Sequence, residues 1–149
     1  MKIIELGSGK CSYFGGPMDS GVGAQEGLGL IEPSDLTEWW FRRLFAMPGS
    51  YDNGKGLARN LNPSAFYCAM RFGYGSFAGV AGEILPGYSR TQIQRMIFAV
   101  TANGNTKFVQ AADWGPNTDT GRLIDLSPGV CKALCISTDD VVSVEALVS

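Results

Sequence analysis

The spacing of hydrophobic positions changes several times along the chain, and each change marks an element. Residues 9–15 (GKCSYFG) alternate, with Cys11 and Tyr13 on one face and Ser12 and Phe14 on the other, which predicts a first strand. A glycine-rich loop follows through Gly16, Gly21, Gly23 and Gly27. Over residues 34–47 the period lengthens: Leu36, Trp39, Trp40, Leu44 and Met47 fall on one stripe, and Asp35 with Glu38 has capping-box spacing, which predicts the one long helix. Alternation returns over residues 66–74, where Phe66, Cys68, Met70, Phe72 and Tyr74 share a face. Residues 75–92 are apolar and glycine-rich and read as a packed loop. Residues 95–101 and 106–112 then form a hairpin around Asn103-Gly104, the strongest short turn signal in the chain. Ser127 followed by Pro128 predicts a capped helix running to Cys135, and residues 141–148 alternate as a last strand. About six strands with little helix point to a mainly β fold, a small closed barrel.

Composition narrows this. At 149 residues the chain holds one core and is too short for two ordinary domains. Only 17% of residues are charged and 45% are hydrophobic, a folding composition. A net charge of −2 without any basic cluster argues against nucleic acid as a partner. No 18-residue apolar stretch predicts a membrane span, and the first residues lack the apolar run of a signal peptide. The expectation is a chain made and folded in a cytoplasm, leaving it only by lysis or inside a particle. Cys11, Cys68, Cys131 and Cys135 show no CxxC spacing, so zinc is not expected, and no other metal or cofactor is called for. The default for these thiols is four reduced cysteines; pairing across the fold or between subunits is the alternative.

The candidate chemistry lies in Asp113-Trp-Gly-Pro-Asn-Thr-Asp119-Thr-Gly-Arg-Leu-Ile-Asp125. The chain has no histidine, which excludes Ser-His-Asp and Cys-His catalysis and leaves carboxylates as the carriers of acid–base work. Asp125 sits between Ile124 and Leu126, a setting that buries a carboxyl and raises its pKa. Asp113 ends a strand before a turn, and Asp119 is an ordinary turn residue. If Asp113 and Asp125 face one another, they titrate as a coupled pair. A structural role is the alternative: Asp125 capping the next turn, and Asp113 bonded to the Gly121-Arg122 backbone. Arg122 is placed to pair with either acid, which lowers its pKa, or to meet a ligand. Among the aromatics, Trp39 and Trp40 read as helix core, whereas Tyr13 and Trp114 are candidate sugar-stacking contacts.

Gly9-Lys-Cys-Ser-Tyr-Phe-Gly-Gly16 resembles the opening strand, roughly G-x-A-[ST]-[WY]-Y-G, of double-psi β-barrel domains in expansins and in the rare lipoprotein A type of lytic transglycosylase. Leu61-Asn62-Pro63 is similar to the A-[LI]-N-P stretch of expansins. Asn103-Gly104, leading to Asp113-Trp-Gly-Pro116, resembles the hairpin ending in D-x-G-P, and Gly121-Arg-Leu-Ile-Asp125-Leu-Ser127 matches G-R-x-[IL]-D-L-S. The resemblance covers residues 9–16 and about 95–148, and implies a single six-stranded double-psi barrel over 1–149 with an insertion at about 20–88 between the first strands. It implies Asp125 as the catalytic or glycan-contacting aspartate, Asp113 as its support, and peptidoglycan or another glycan as partner. In the related transglycosylases one carboxyl group protonates the glycosidic oxygen and then takes the proton of the sugar's own 6-hydroxyl, giving a 1,6-anhydro product. Expansins keep the groove and the aspartate but do not cleave. This chain lacks the expansin GxCG motif.

Two functions therefore stand: a glycan-directed barrel, which a phage particle could carry to the wall, and a non-catalytic structural or interaction module that meets other protein subunits. An open groove holding both aspartates favours the first. A groove filled by the insertion favours the second.

Overall fold

The computed structural model describes residues 1–19, 28–31, 33–47, 49, 56–72 and 84–149. Six strands, β1 (Lys2–Tyr13), β2 (Tyr67–Met70), β3 (Ile97–Ala102), β4 (Asn105–Trp114), β5 (Arg122–Leu126) and β6 (Val141–Val148), close into a barrel in the order β1-β5-β2-β4-β3-β6. Pairing is mixed: β1/β5 and β2/β4 are parallel, and the other four pairs are antiparallel. Moving every strand three places along the chain maps this order onto itself, so that β1/β5 becomes β4/β2. Each parallel pair carries one register shift, at Lys10/Cys11 and at Cys68/Ala69. A closed six-stranded barrel with two equivalent parallel pairs is compatible with the double-psi arrangement. No helix among the described residues is long and apolar enough to cross a membrane.

Alternation explains the interior. Cys11, Cys68, Met70, Phe98, Val100, Val109, Ile124, Leu126, Val142 and Val144 point inward and are buried. Each large side chain among them contributes about 1.5–3 kcal/mol. Among the described residues the α-helices are α1 (Trp39–Arg42), α2 (Arg90–Gln94) and α3 (Pro128–Leu134), and α3 adds Val130, Cys131 and Leu134 to this core. Ser127 caps α3 by accepting from the Val130 N–H at 3.3 Å, as its sequence predicts. A second apolar cluster, including Leu36, Phe41, Leu44, Phe45, Leu61 and Tyr67, lies under the chain between β1 and β2. Tyr67 ties that segment to the barrel: its hydroxyl donates to the Phe14 carbonyl at 3.0 Å.

Several local expectations change. The long helix over 34–47 is replaced by a 3-10 turn at Pro33–Thr37 and the single turn α1. Asp35 does not serve a capping box; its carboxylate binds Arg90 and Gln94, and Phe45 bridges to Leu61 in place of a further helical turn. Trp39 and Met47, expected in the core, are each 65% exposed. The first strand begins at Lys2, since its N-terminal half pairs with β6 from Lys2/Val148 onward. Ser89 and Gln92 form a capping box that starts α2 inside the stretch read as loop. The range 20–88 is divided by β2, and Tyr74 with residues 75–83 lies outside the described residues, as do Gly21, Gly23 and Gly27. The hairpin turn stands as expected, with Asn103 and Gly104 both at positive φ. All four cysteines are free thiols, three of them buried.

Gly129 in α3 tests the packing of this helix on the chain before β2. Glycine to alanine inside a helix ordinarily stabilises by about 0.5–1 kcal/mol. Here an added Cβ would stand 2.8 Å from the Pro63 carbonyl oxygen and 3.0 Å from that of Ser64, and the Gly129 N–H donates to the Pro63 carbonyl at 2.7 Å. Steric strain therefore wins: Gly129→Ala lowers stability by about 1–3 kcal/mol in urea unfolding, and a midpoint that rises would contradict the packing.

Candidate functional site

The site follows from the register of four neighbouring strands. Ser12 pairs with Asp125, Asp125 with Ala69, and Ala69 with Asp113. Paired residues in adjacent strands point to the same side. Because Cys11, Cys68, Ile124 and Leu126 face the core, the row Ser12–Asp125–Ala69–Asp113 faces outward. The two aspartates thus share one face, on strands separated by β2, with α-carbons about 10 Å apart.

Their environments differ. Asp113 accepts from the N–H of Gly29 and, at 2.8 Å, from that of Trp114. Gly29 belongs to the segment between β1 and β2, and a Cβ there would lie 3.2 Å from Asp113 Oδ1 and 3.1 Å from Trp114 Cβ. Asp113 is therefore the anchor on which that segment rests. Asp125 is half-buried, and among the described residues no hydrogen bond or ion pair engages its carboxylate. Burial pushes its pKa up to about 6, against the pull of Arg122 and Arg71, with the charge of Asp19 adding to the rise. Desolvation outweighs two cations here because neither is bonded to the carboxylate.

Both arginines are committed elsewhere. Arg122 Nε donates to Asp139 Oδ1 at 2.9 Å, and that bond raises the arginine's pKa and lowers the aspartate's. Arg71 donates to the carbonyls of Pro116 at 3.1 Å and Arg122 at 2.8 Å, stapling the turn after β4 to the start of β5. That turn brings Gly115 against the acid, where a Cβ would be 3.9 Å from Asp125 Oδ2.

The expected aromatic contacts separate. Trp114 is half-buried against the barrel core, and its indole N–H donates to the Phe72 carbonyl at 3.1 Å. Tyr13 is 59% exposed but pairs with Leu126, so alternation sets it on the other side of the sheet from Asp125, at the end of β1. Asp119 lies in a short 3-10 turn, its N–H donating to Asn117 Oδ1.

Three residues of this neighbourhood escape the sequence reading. Asp19 accepts from the Gly15 N–H at 2.8 Å and bears on Asp125; its only signal is the Gly-Gly-Pro turn before it. Arg71 follows a strand that reads as running on to residue 74, and Asp139 reads as a turn residue.

The raised Asp125 pKa has a stability consequence. The folded chain holds this proton more tightly than the unfolded chain, so the contribution is complete below pH 3.8 and is lost as pH rises to about 6. Asp125→Asn should therefore be more stable than the parent above pH 6 by an amount on the order of 2–3 kcal/mol. The gain should vanish towards pH 3.8 in urea unfolding followed across pH. A pH-independent difference would contradict a desolvated carboxyl.

Comparison with protein-family models and with curated proteins gives no match, so the reading of this site rests on its residues and their geometry.

Proposed function

We propose that this protein is a glycan-directed barrel acting on peptidoglycan, with Asp125 as its single acid. The observation that carries the reading is the Asp125 carboxyl: half-buried, unbonded among the described residues, and protonated up to about pH 6. Such a group delivers a proton to a glycosidic oxygen as the bond to the anomeric carbon breaks. The resulting carboxylate then accepts the proton of the sugar's 6-hydroxyl while that oxygen closes on the same carbon, giving a 1,6-anhydro sugar. One carboxyl serves both steps, so no second carboxylate need activate water, unlike in inverting hydrolysis. Asp113 supports the site by holding the covering segment through Gly29, not by sharing the proton. Arg122 tunes the acid through its charge, and Trp114, next to Asp113 on β4, is the remaining candidate sugar contact on this side of the barrel. Delivery by a phage particle or at lysis accounts for a wall-acting chain read as made in the cytoplasm.

A second reading, a non-catalytic module within a larger assembly, draws support from the same Gly29–Asp113 contact, because chain outside the barrel occupies one end of the row. Light scattering after size exclusion separates them: a monomer that binds peptidoglycan speaks against the module.

Incubation with purified peptidoglycan, read by mass spectrometry, should release anhydro-muropeptides at a rate that falls as pH rises above 6. Asp125→Asn should lower that rate about 10²–10⁴-fold. Equal product from both proteins, or none from either, removes the lytic mechanism.

A further inference from the structure

Away from the aspartate row, the outer side of the β3/β4 hairpin carries a trough that the acid chemistry does not use. Two adjoining hollows, of about 320 and 240 Å³, share Arg43, Ile97 and Gln110. Phe108 lines one, and Trp40 and Arg95 line the other. Ile97 and Gln110 are cross-strand neighbours and form the common floor.

The cations here are fixed by packing, not by counter-ions. Arg43 Nη2 donates to Gln110 Oε1 at 2.7 Å, and its guanidinium lies 5.9 Å from the centre of the Trp39 ring. Arg95 lies 5.1 Å from the centre of the Trp40 ring. Gln110 is 5% exposed and returns a hydrogen bond to the Trp40 carbonyl, so the arginine's partner is itself held. Among the described residues neither arginine has a carboxylate partner, and Asp35 is already paired with Arg90. Two positioned, uncompensated guanidinium groups on a chain of net charge −2 are suited to bidentate capture of an anion.

Shape and surroundings select the rest of the ligand. Trp39, 65% exposed, and Phe108, 57% exposed, offer ring faces beside the trough, suited to a pyranose. We propose that this trough binds the carboxylate-bearing residues of an acidic glycan, with Arg43 and Arg95 gripping the carboxylates and Trp39 and Phe108 stacking on the rings. The choice of a glycan rests on the function proposed above; the capture of a carboxylate rests on the two arginines.

Titration of the intact protein with tetragalacturonate, followed by calorimetry and tryptophan fluorescence, tests it, with cellotetraose and inorganic phosphate as comparators. The acidic tetrasaccharide should bind and change the fluorescence, and cellotetraose should bind at least about tenfold more weakly. Arg43→Gln and Arg95→Gln, both at exposed positions, should each weaken binding about tenfold. Arg42→Gln, exposed and outside the trough, should leave it unchanged. No binding, equal binding of cellotetraose, equal competition by phosphate, or an equal loss in Arg42→Gln would overturn the proposal. Asp125→Asn should retain tetragalacturonate binding. Loss of muropeptide release with that binding intact would therefore bear on the acid alone, and absent binding with release intact would remove the trough alone.

Discussion

Everything in this structure depends on the seating of β2. It is four residues long, all of them buried, and it pairs in parallel with β4 on one side and antiparallel with β5 on the other. Its flanks are pinned as well: the Gln110 N–H donates to the Phe66 carbonyl at 3.2 Å, the Ser127 N–H to Tyr67 at 2.9 Å, and the Gly115 N–H to Met70 at 3.2 Å. This strand closes the barrel, and its Ala69 is the residue on which both aspartates register. A slip of one residue would turn Cys68 and Met70 outward and break the row.

That register gives the two aspartates different work. Asp113 receives backbone N–H groups and fixes the segment over its end of the row. Asp125, one strand to the other side of Ala69, receives none among the described residues and is left with the cost of burial. The charges that bear on it come from Arg122, Arg71 and Asp19. In place of the coupled pair that facing carboxylates would form, there is one proton-holding acid and one anchor. In the sequence the facing of the two was only a condition, and the backbone partner of Asp113 was not legible, because Gly29 lies far away in the chain.

Legibility followed how local each signal was. The Asn103-Gly104 turn, the Ser127-Pro128 helix start and the alternation of β6 are each decided by a few neighbouring residues, and each stands. The flanking of Asp125 by the buried Ile124 and Leu126 gave its partial burial for the same reason. The long helix did not form because Asp35 and Phe45 found distant partners in Arg90 and Leu61. The N-terminal half of β1 was invisible because its strand character comes from pairing with β6 at the other end of the chain. Barrel closure itself was inferred from the count of strands, while the parallel pairs follow from connections that no local pattern encodes.

The central claim is that burial, and not a shared proton with Asp113, holds the Asp125 carboxyl in its acid form. Carbon-detected NMR titration of that side chain tests it most directly, in the parent protein and in the Asp19→Asn and Asp113→Asn variants. The account predicts a midpoint near 6 in the parent, a lower one in Asp19→Asn, and little change in Asp113→Asn. A midpoint at the ordinary value of 3.8, or one that collapses on Asp113→Asn, would contradict it.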